Sequence, residues 1–343
     1  MIMHKKLFRL VLIFSFMIIL GYLLFLLLDK RTSSLSVWNN YNTPVDKYSN
    51  AIIEHVVFSA EPGLSGLERV SHKGILFRNP RARATILICH GFMCDKTDVQ
   101  FLRMIFKDYN VMIFDFRAHG ESKACEYCTF GCDEIHDIYA ACRCIKSHPV
   151  IGKLPLIAYG FSMGAVASIN AQSKDATLFD CAIWDCPFDS THGVISRSVD
   201  ELKISVFGCT FFMPGRAFLK KFAYNQYVQK LLKTMLKAIA RMDSRSIRTR
   251  MLPFDTTEAA KKIAIPAFFI VCKNDKKAPP QGVEKIYQSV QGYKRLWITN
   301  GRNHFDSFFY NPEKYSYKVR QFIEKFLDGK FSFKKQNKIT HDQ

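Results

Sequence analysis

Hydrophobic positions fall into three regimes along the chain. Residues 10–28, LVLIFSFMIILGYLLFLLL, hold no charge and are apolar on every face; as a helix they would reach about 28 Å, close to the thickness of a bilayer's hydrocarbon. They predict one transmembrane helix, with a basic flank at 1–9 before it and a polar linker at 29–50 after it. The run is longer than the apolar part of a secretory signal and no small-residue cleavage site follows, so it reads as an uncleaved anchor. Beyond residue 50, short β-branched and aromatic runs at 53–58, 75–77, 85–89, 111–116, 155–159, 181–184, 267–271 and 295–299 alternate with helical spacing at 98–107, 132–147, 163–172, 283–290 and 313–327. Continuous apolar strands separated by helices predict a mainly parallel, eight-stranded sheet covered on both faces. The last helix is the clearest: Val319, Phe322, Ile323, Phe326 and Leu327 share a face, with Pro312 at its start and Gly329 beyond it.

Between 189 and 251 this rhythm stops. No strand pattern stands out there, and Phe222, Tyr227, Leu231, Leu232, Met235 and Leu236 recur at helical spacing. The stretch is expected to be a helical cap inserted into one α/β domain over 51–330, followed by a basic tail at 331–343. Charge sharpens this picture. The chain of 343 residues has 49 Lys and Arg against 30 Asp and Glu, a net +19, while 48% hydrophobic content excludes a disordered polyelectrolyte. From Arg216 to Arg250 ten basic residues face the single acid Asp243, so about half of the excess lies in the insertion. A basic, aromatic-bearing surface beside an anchor points to anionic lipid as a contact, and no nucleic-acid motif accompanies the charge. Lys5, Lys6 and Arg9 outnumber Lys30 and Arg31, which places the N-terminus in the cytoplasm and the domain on the extracytoplasmic side.

The chemistry begins at Gly160-Phe161-Ser162-Met163-Gly164, which follows the run LPLIAY and opens a helical segment. G-x-S-x-G alone is a weak pattern, but a strand-to-helix turn this tight would strain Ser162, project its hydroxyl above the sheet and leave the first helical amides facing it. Gly160 and Gly164 remove side chains that would collide there. A serine needs a base, held in turn by an acid. Asp275 follows AFFIV and His304 follows RLWIT, both at carboxyl ends of predicted parallel strands, where functional groups gather. The order Ser162, Asp275, His304 is that of the α/β-hydrolase triad. Upstream, His90-Gly91-Phe92-Met93 comes directly after a strand, so the Phe92 and Met163 amides are the expected oxyanion donors, with His90 and Gly91 supporting the loop. Asp185 and Asp189 are alternative acids, and Asp306 is read as a loop residue. Cys125, Cys128, Cys132, His136, Cys142 and Cys144 are dense enough to raise zinc or a disulfide. Hydrolysis by such a triad needs no metal, and no cofactor is expected.

From about 53 to 327, HGF at 90–92, FDFRAHGES at 114–122, GFSMG at 160–164, Asp275 and His304 make the chain resemble an α/β-hydrolase-fold serine hydrolase. FDFRAHGES is similar to the D-x-R-x-H-G-x-S turn of monoacylglycerol lipases, serine aminopeptidases and membrane-anchored acyl-protein thioesterases; the resemblance implies a structural part for Arg117 and His119. The expected protein is a membrane-anchored serine hydrolase acting on acyl esters or thioesters, with lipid or acylated molecules as substrates. Two alternatives stay open: a serine peptidase of the same fold, and a non-catalytic, membrane-tethered binding protein using the basic cap.

Overall fold

The computed structural model describes residues 51–63, 69–122, 127–206, 209–212, 214–230, 247–330 and 338–342. The predicted anchor at 10–28 and its flanks lie outside the described residues, as do Cys125 and residues 231–246 of the insertion. Among the described residues no helix is long and apolar enough to cross a membrane. The described residues fall into two units, 201–214 and the remainder.

The larger unit is built on a nine-stranded sheet. Its strands are β1 (Ile52–Ala60), β2 (Val70–Arg78), β3 (Thr85–Cys89), β4 (Asn110–Phe114), β5 (Leu156–Phe161) and β6 (Cys181–Asp185). Omitting two strands of the smaller unit, which we number β7 and β8, the rest are β9 (Ala267–Cys272), β10 (Lys294–Thr299) and β11 (Lys338–His341). They lie in the order β1-β2-β4-β3-β5-β6-β9-β10-β11. Only the β1/β2 and β2/β4 pairings are antiparallel; the others are parallel. The α/β-hydrolase expectation holds, with one correction: the sheet has nine strands, because the basic tail supplies β11 against β10. KITH is short and has a single apolar residue, Ile339, which suits a sheet edge and gives little signal in a sequence.

Strand periodicity sets the two halves of the core. On β3, Leu87 and Cys89 pack to one side with Met112, Trp184 and Phe269, while Ile86 and Ile88 pack to the other with Ile113, Ile183 and Trp297. Helices α1 (Glu134–Ser147) and α2 (Met163–Lys174) cover the first side through Ile138, Ala141 and Ile169. The predicted helix at 98–107 is instead a 3-10 turn, Gln100–Met104, and Leu102 and Phe106 cover the second side. The Asp95 carboxylate accepts from the backbone N–H groups of Thr97 and Asp98, a local alternative to an α-helical start.

The insertion is not wholly helical. α3 (Thr191–Asp200) and α4 (Arg216–Lys221) belong to the larger unit, but β7 (Lys203–Val206) and β8 (Cys209–Phe212) form an antiparallel hairpin in the smaller one. α5 (Thr256–Ala260) then returns the chain to the sheet, its first turn capped by Asp255, whose side chain accepts from Thr257 and Glu258 N–H. α6 (Pro280–Ser289), α7 (Ser307–Tyr310) and α8 (Pro312–Leu327) complete the unit.

One charged cluster is fully buried. Arg117, in the loop after β4, donates Nε and a terminal nitrogen to Asp137 on α1, and His72 on β2 reaches the same carboxylate at 3.0 Å. Burial would raise the Asp137 carboxyl, but the charges and hydrogen bonds of His72 and Arg117 outweigh it and hold the group well below the usual carboxylate range. A depressed carboxylate stabilises the fold above its unfolded value and loses that contribution as pH falls through the folded one. Asp137→Asn leaves Arg117 buried without its counter-charge and is expected to cost about 3–5 kcal/mol, read by urea unfolding at neutral pH. A loss below about 1 kcal/mol would show that the cluster is dispensable.

Candidate active site

The turn from β5 into α2 carries Ser162 at φ 52° and ψ −121°, a left-handed conformation costly for any residue but glycine. Close packing holds it there. A methyl group on Gly160 would come within 2.8 Å of the Ala165 backbone, and one on Gly164 within 2.1 Å of the Cys89 carbonyl oxygen at the end of β3. Two glycines therefore let the first turn of α2 lie against the neighbouring strands. The Ser162 N–H donates to the Asp185 carbonyl at 2.9 Å, and its own carbonyl receives the Val166 N–H.

Two further loops at the carboxyl ends of parallel strands meet this turn. His304 Nε2 is 2.8 Å from Ser162 Oγ, and His304 Nδ1 is 2.7 Å from Asp275 Oδ2. Asp275 lies in the loop after β9, and its other oxygen accepts from the Lys277 and Ala278 N–H groups, at 2.9 and 2.8 Å. A carboxylate fixed at one oxygen can present the other to an imidazole in only one way, so Nδ1 carries the proton and Nε2 is left to accept from Ser162. The loop bearing His304 turns through Phe305 at φ 58°, whose ring stacks on Phe161 at 3.9 Å. Thr299 and Ser307 close its base with a 2.9 Å hydrogen bond, and Asp306 accepts the Arg302 N–H, the loop role expected of it.

Loop 90–94 follows β3. His90 is fully buried, with Nδ1 against the Gly91 carbonyl and Nε2 accepting the Phe116 N–H. Burial, then the neighbouring His119, pushes it down to about 3, so it stays neutral and supports the loop. Gly91 leaves room for the Phe161 ring, which a methyl group would meet at 2.6 Å. The chain turns at Met93, φ 69°, and Cys94 N–H returns to the Gly91 carbonyl. Neither the Phe92 nor the Met163 N–H has a backbone acceptor among the described residues. His119 is buried and held by the Arg117 carbonyl, while Arg117 is committed to Asp137.

The alternative acids are occupied elsewhere. Asp189 pairs with Arg197 at 3.0 Å. Asp185 is fully buried, accepts from Tyr315 Oη at 2.8 Å, and is raised to about 7 by its burial. Among the described residues of the cysteine cluster, Cys128, Cys132, His136, Cys142 and Cys144 do not converge as a metal-ligand group, and each of these cysteines is free. Sequence reasoning missed two neighbours of the site. Cys186 places Sγ 3.9 Å from His304 Nε2, and its position directly after a central strand was the available signal. Cys128 meets the Met163 sulfur at 3.4 Å from a loop pinned by buried Glu134, which accepts from the Thr129 and Gly131 N–H groups.

Comparison with known proteins shows the family and the fold. Residues 80–305, which take in Ser162, Asp275 and His304, match the family described as serine aminopeptidase, S33. YqkD of Bacillus subtilis (strain 168) is 25% identical over 253 residues, covering 71% of this chain and 72% of that protein. Among solved structures, the Pyrococcus furiosus esterase Pf2001 superposes with a TM-score of 0.59 at 20% identity, covering 81% of this chain and 93% of that one. A thermophilic esterase from Thermogutta terrifontis gives 0.51 at 17% identity, with 80% and 99% covered. These structural likenesses show the α/β-hydrolase fold. Because a side chain at 164 must displace the Cys89 carbonyl, Gly164→Ala is expected to cost about 1–3 kcal/mol in thermal unfolding and to suppress covalent labelling of Ser162 in the protein that remains folded. Wild-type stability and labelling would refute this account of the turn.

Proposed function

The chain belongs to the serine aminopeptidase S33 family and is a hydrolase of the α/β fold, and on that footing we propose that it is a membrane-anchored serine hydrolase cleaving acyl esters or thioesters. One observation carries the proposal: a single imidazole bridges Ser162 Oγ and the Asp275 carboxylate at hydrogen-bond distance on both sides. In this mechanism His304 Nε2 takes the Ser162 proton as Oγ attacks the substrate carbonyl, and Asp275 keeps Nδ1 protonated and steadies the imidazolium. The Phe92 and Met163 amides receive the oxyanion, aided by the N-terminal end of α2. His304 then protonates the leaving group, and a water activated by the same imidazole releases the acyl group from Ser162.

The esterase structures that share the fold support ester chemistry, whereas the family description keeps aminoacyl peptide bonds as the second reading. The uncharged run at 10–28 supports the anchor, with lipid or acylated molecules as the matching substrates. In the same reading α3 and α4 contribute to a substrate-selecting cap, and the domain faces the extracytoplasmic side. A fluorophosphonate is expected to label the wild type and not Ser162→Ala, and Asp275→Asn to lower turnover by about 10⁴-fold. Equal labelling of Ser162→Ala would remove the assignment. Medium- and long-chain acyl esters and thioesters are expected to turn over faster than aminoacyl amides; the reverse preference would select the peptidase. The full chain is expected to stay with membranes through an alkaline carbonate wash, and release by that wash would remove the anchor.

A further inference from the structure

Cys186 is the side chain next to the reactive pair for which hydrolysis has no use. It is fully buried, sits at φ 44° directly after β6, and holds Sγ 3.9 Å from His304 Nε2. Cys186, Asp275 and His304 each offer a ligand atom within 4.8 Å of the others, the one such group among the described residues. A histidine that binds zinc through one ring nitrogen usually donates its other N–H to a carboxylate, which fixes the tautomer and raises the basicity of the ligating nitrogen. Asp275 and His304 already form that unit, with the Nε2 lone pair turned toward Ser162 and Cys186.

The distances suit a soft tetrahedral ion. Bonds of about 2.3 Å to sulfur and about 2.0 Å to nitrogen place the two donors about 3.5 Å apart. The observed 3.9 Å closes to that by a small side-chain movement. Ser162 Oγ, 2.8 Å from Nε2, stands where a third ligand or a water would lie. Thiolate with imidazole selects zinc-like ions over magnesium or calcium.

We propose that Cys186 and His304 form an inhibitory binding site for a thiophilic divalent cation, with zinc as its prototype, built over the hydrolytic serine. On binding, the Cys186 thiol gives its proton to solvent as the metal–sulfur bond forms, and the second bond takes the Nε2 lone pair. Ser162 then has no base, and hydrolysis stops until the ion leaves. The inhibitory consequence rests on the reading of Ser162 and His304 as nucleophile and base; the binding itself does not.

The test uses the full chain, its Cys186→Ser variant, which keeps the side-chain shape, and Cys186→Ala. Zinc is expected to block fluorophosphonate labelling and ester turnover of the wild type, with magnesium inert at the same concentration. Each variant should need at least about tenfold more zinc for half-inhibition, measured against its own metal-free rate. Cobalt(II) supplies a reading independent of turnover: the wild type should show a sulfur-to-cobalt charge-transfer band in the near ultraviolet that both variants lose. Equal zinc sensitivity in wild type and variants, no inhibition of an active wild type, or a cobalt band that survives both substitutions would each overturn the proposal. A protein that hydrolyses nothing but gives the Cys186-dependent band would instead fault the hydrolase reading and leave the metal site standing.

Discussion

The contact between Gly164 and the Cys89 carbonyl is the constraint from which the rest of the site follows. It lets the first turn of α2 settle against the end of β3, which fixes the left-handed backbone at Ser162 and brings loop 90–94 beside it. The Ser162 N–H is held by the Asp185 carbonyl, and Phe161 is wedged between Gly91 on one side and the Phe305 ring on the other. Ser162, loop 90–94 and the loop bearing His304 therefore share one packed neighbourhood.

Buried charge secures the loops around that neighbourhood. Arg117 and His72 converge on Asp137, so the loop after β4 is tied to both β2 and α1. Glu134 does the same for the loop at 128–131: its carboxyl is raised by burial, with the Thr129 and Gly131 amides opposing. Replacing one partner of such a cluster is far more damaging than never having built it, because the survivor stays desolvated. Conformational definition of loops at the head of the sheet is what these clusters supply.

Much of this was legible in the residues. Ser162, Asp275 and His304 each follow an uninterrupted apolar run, and in a parallel sheet such runs end at the same edge. The choice of Asp275 over Asp185 or Asp189 was less secure in sequence; geometry separates them by which carboxylate faces Nδ1. The two four-residue runs of β7 and β8 are too short to stand out beside the basic helical spacing downstream. β11 gave too few apolar positions to be seen. The place of Cys186 directly after β6 puts it at the functional edge of the sheet, but no local pattern says that its thiol will face a histidine 118 residues later.

The separation of the reacting groups also bears on how the protein is made. Ser162 and His304 meet across 142 residues, and the strands that bring them together come late in the chain, β9 pairing with β6 and β10 with β9. Contacts of such range form late, after the loop entropy of the intervening chain has been overcome. A nascent or half-folded chain thus carries a serine with no base beside it. In the proposed mechanism, therefore, reactivity emerges only with the finished sheet, and the serine stays silent through synthesis until folding itself is complete.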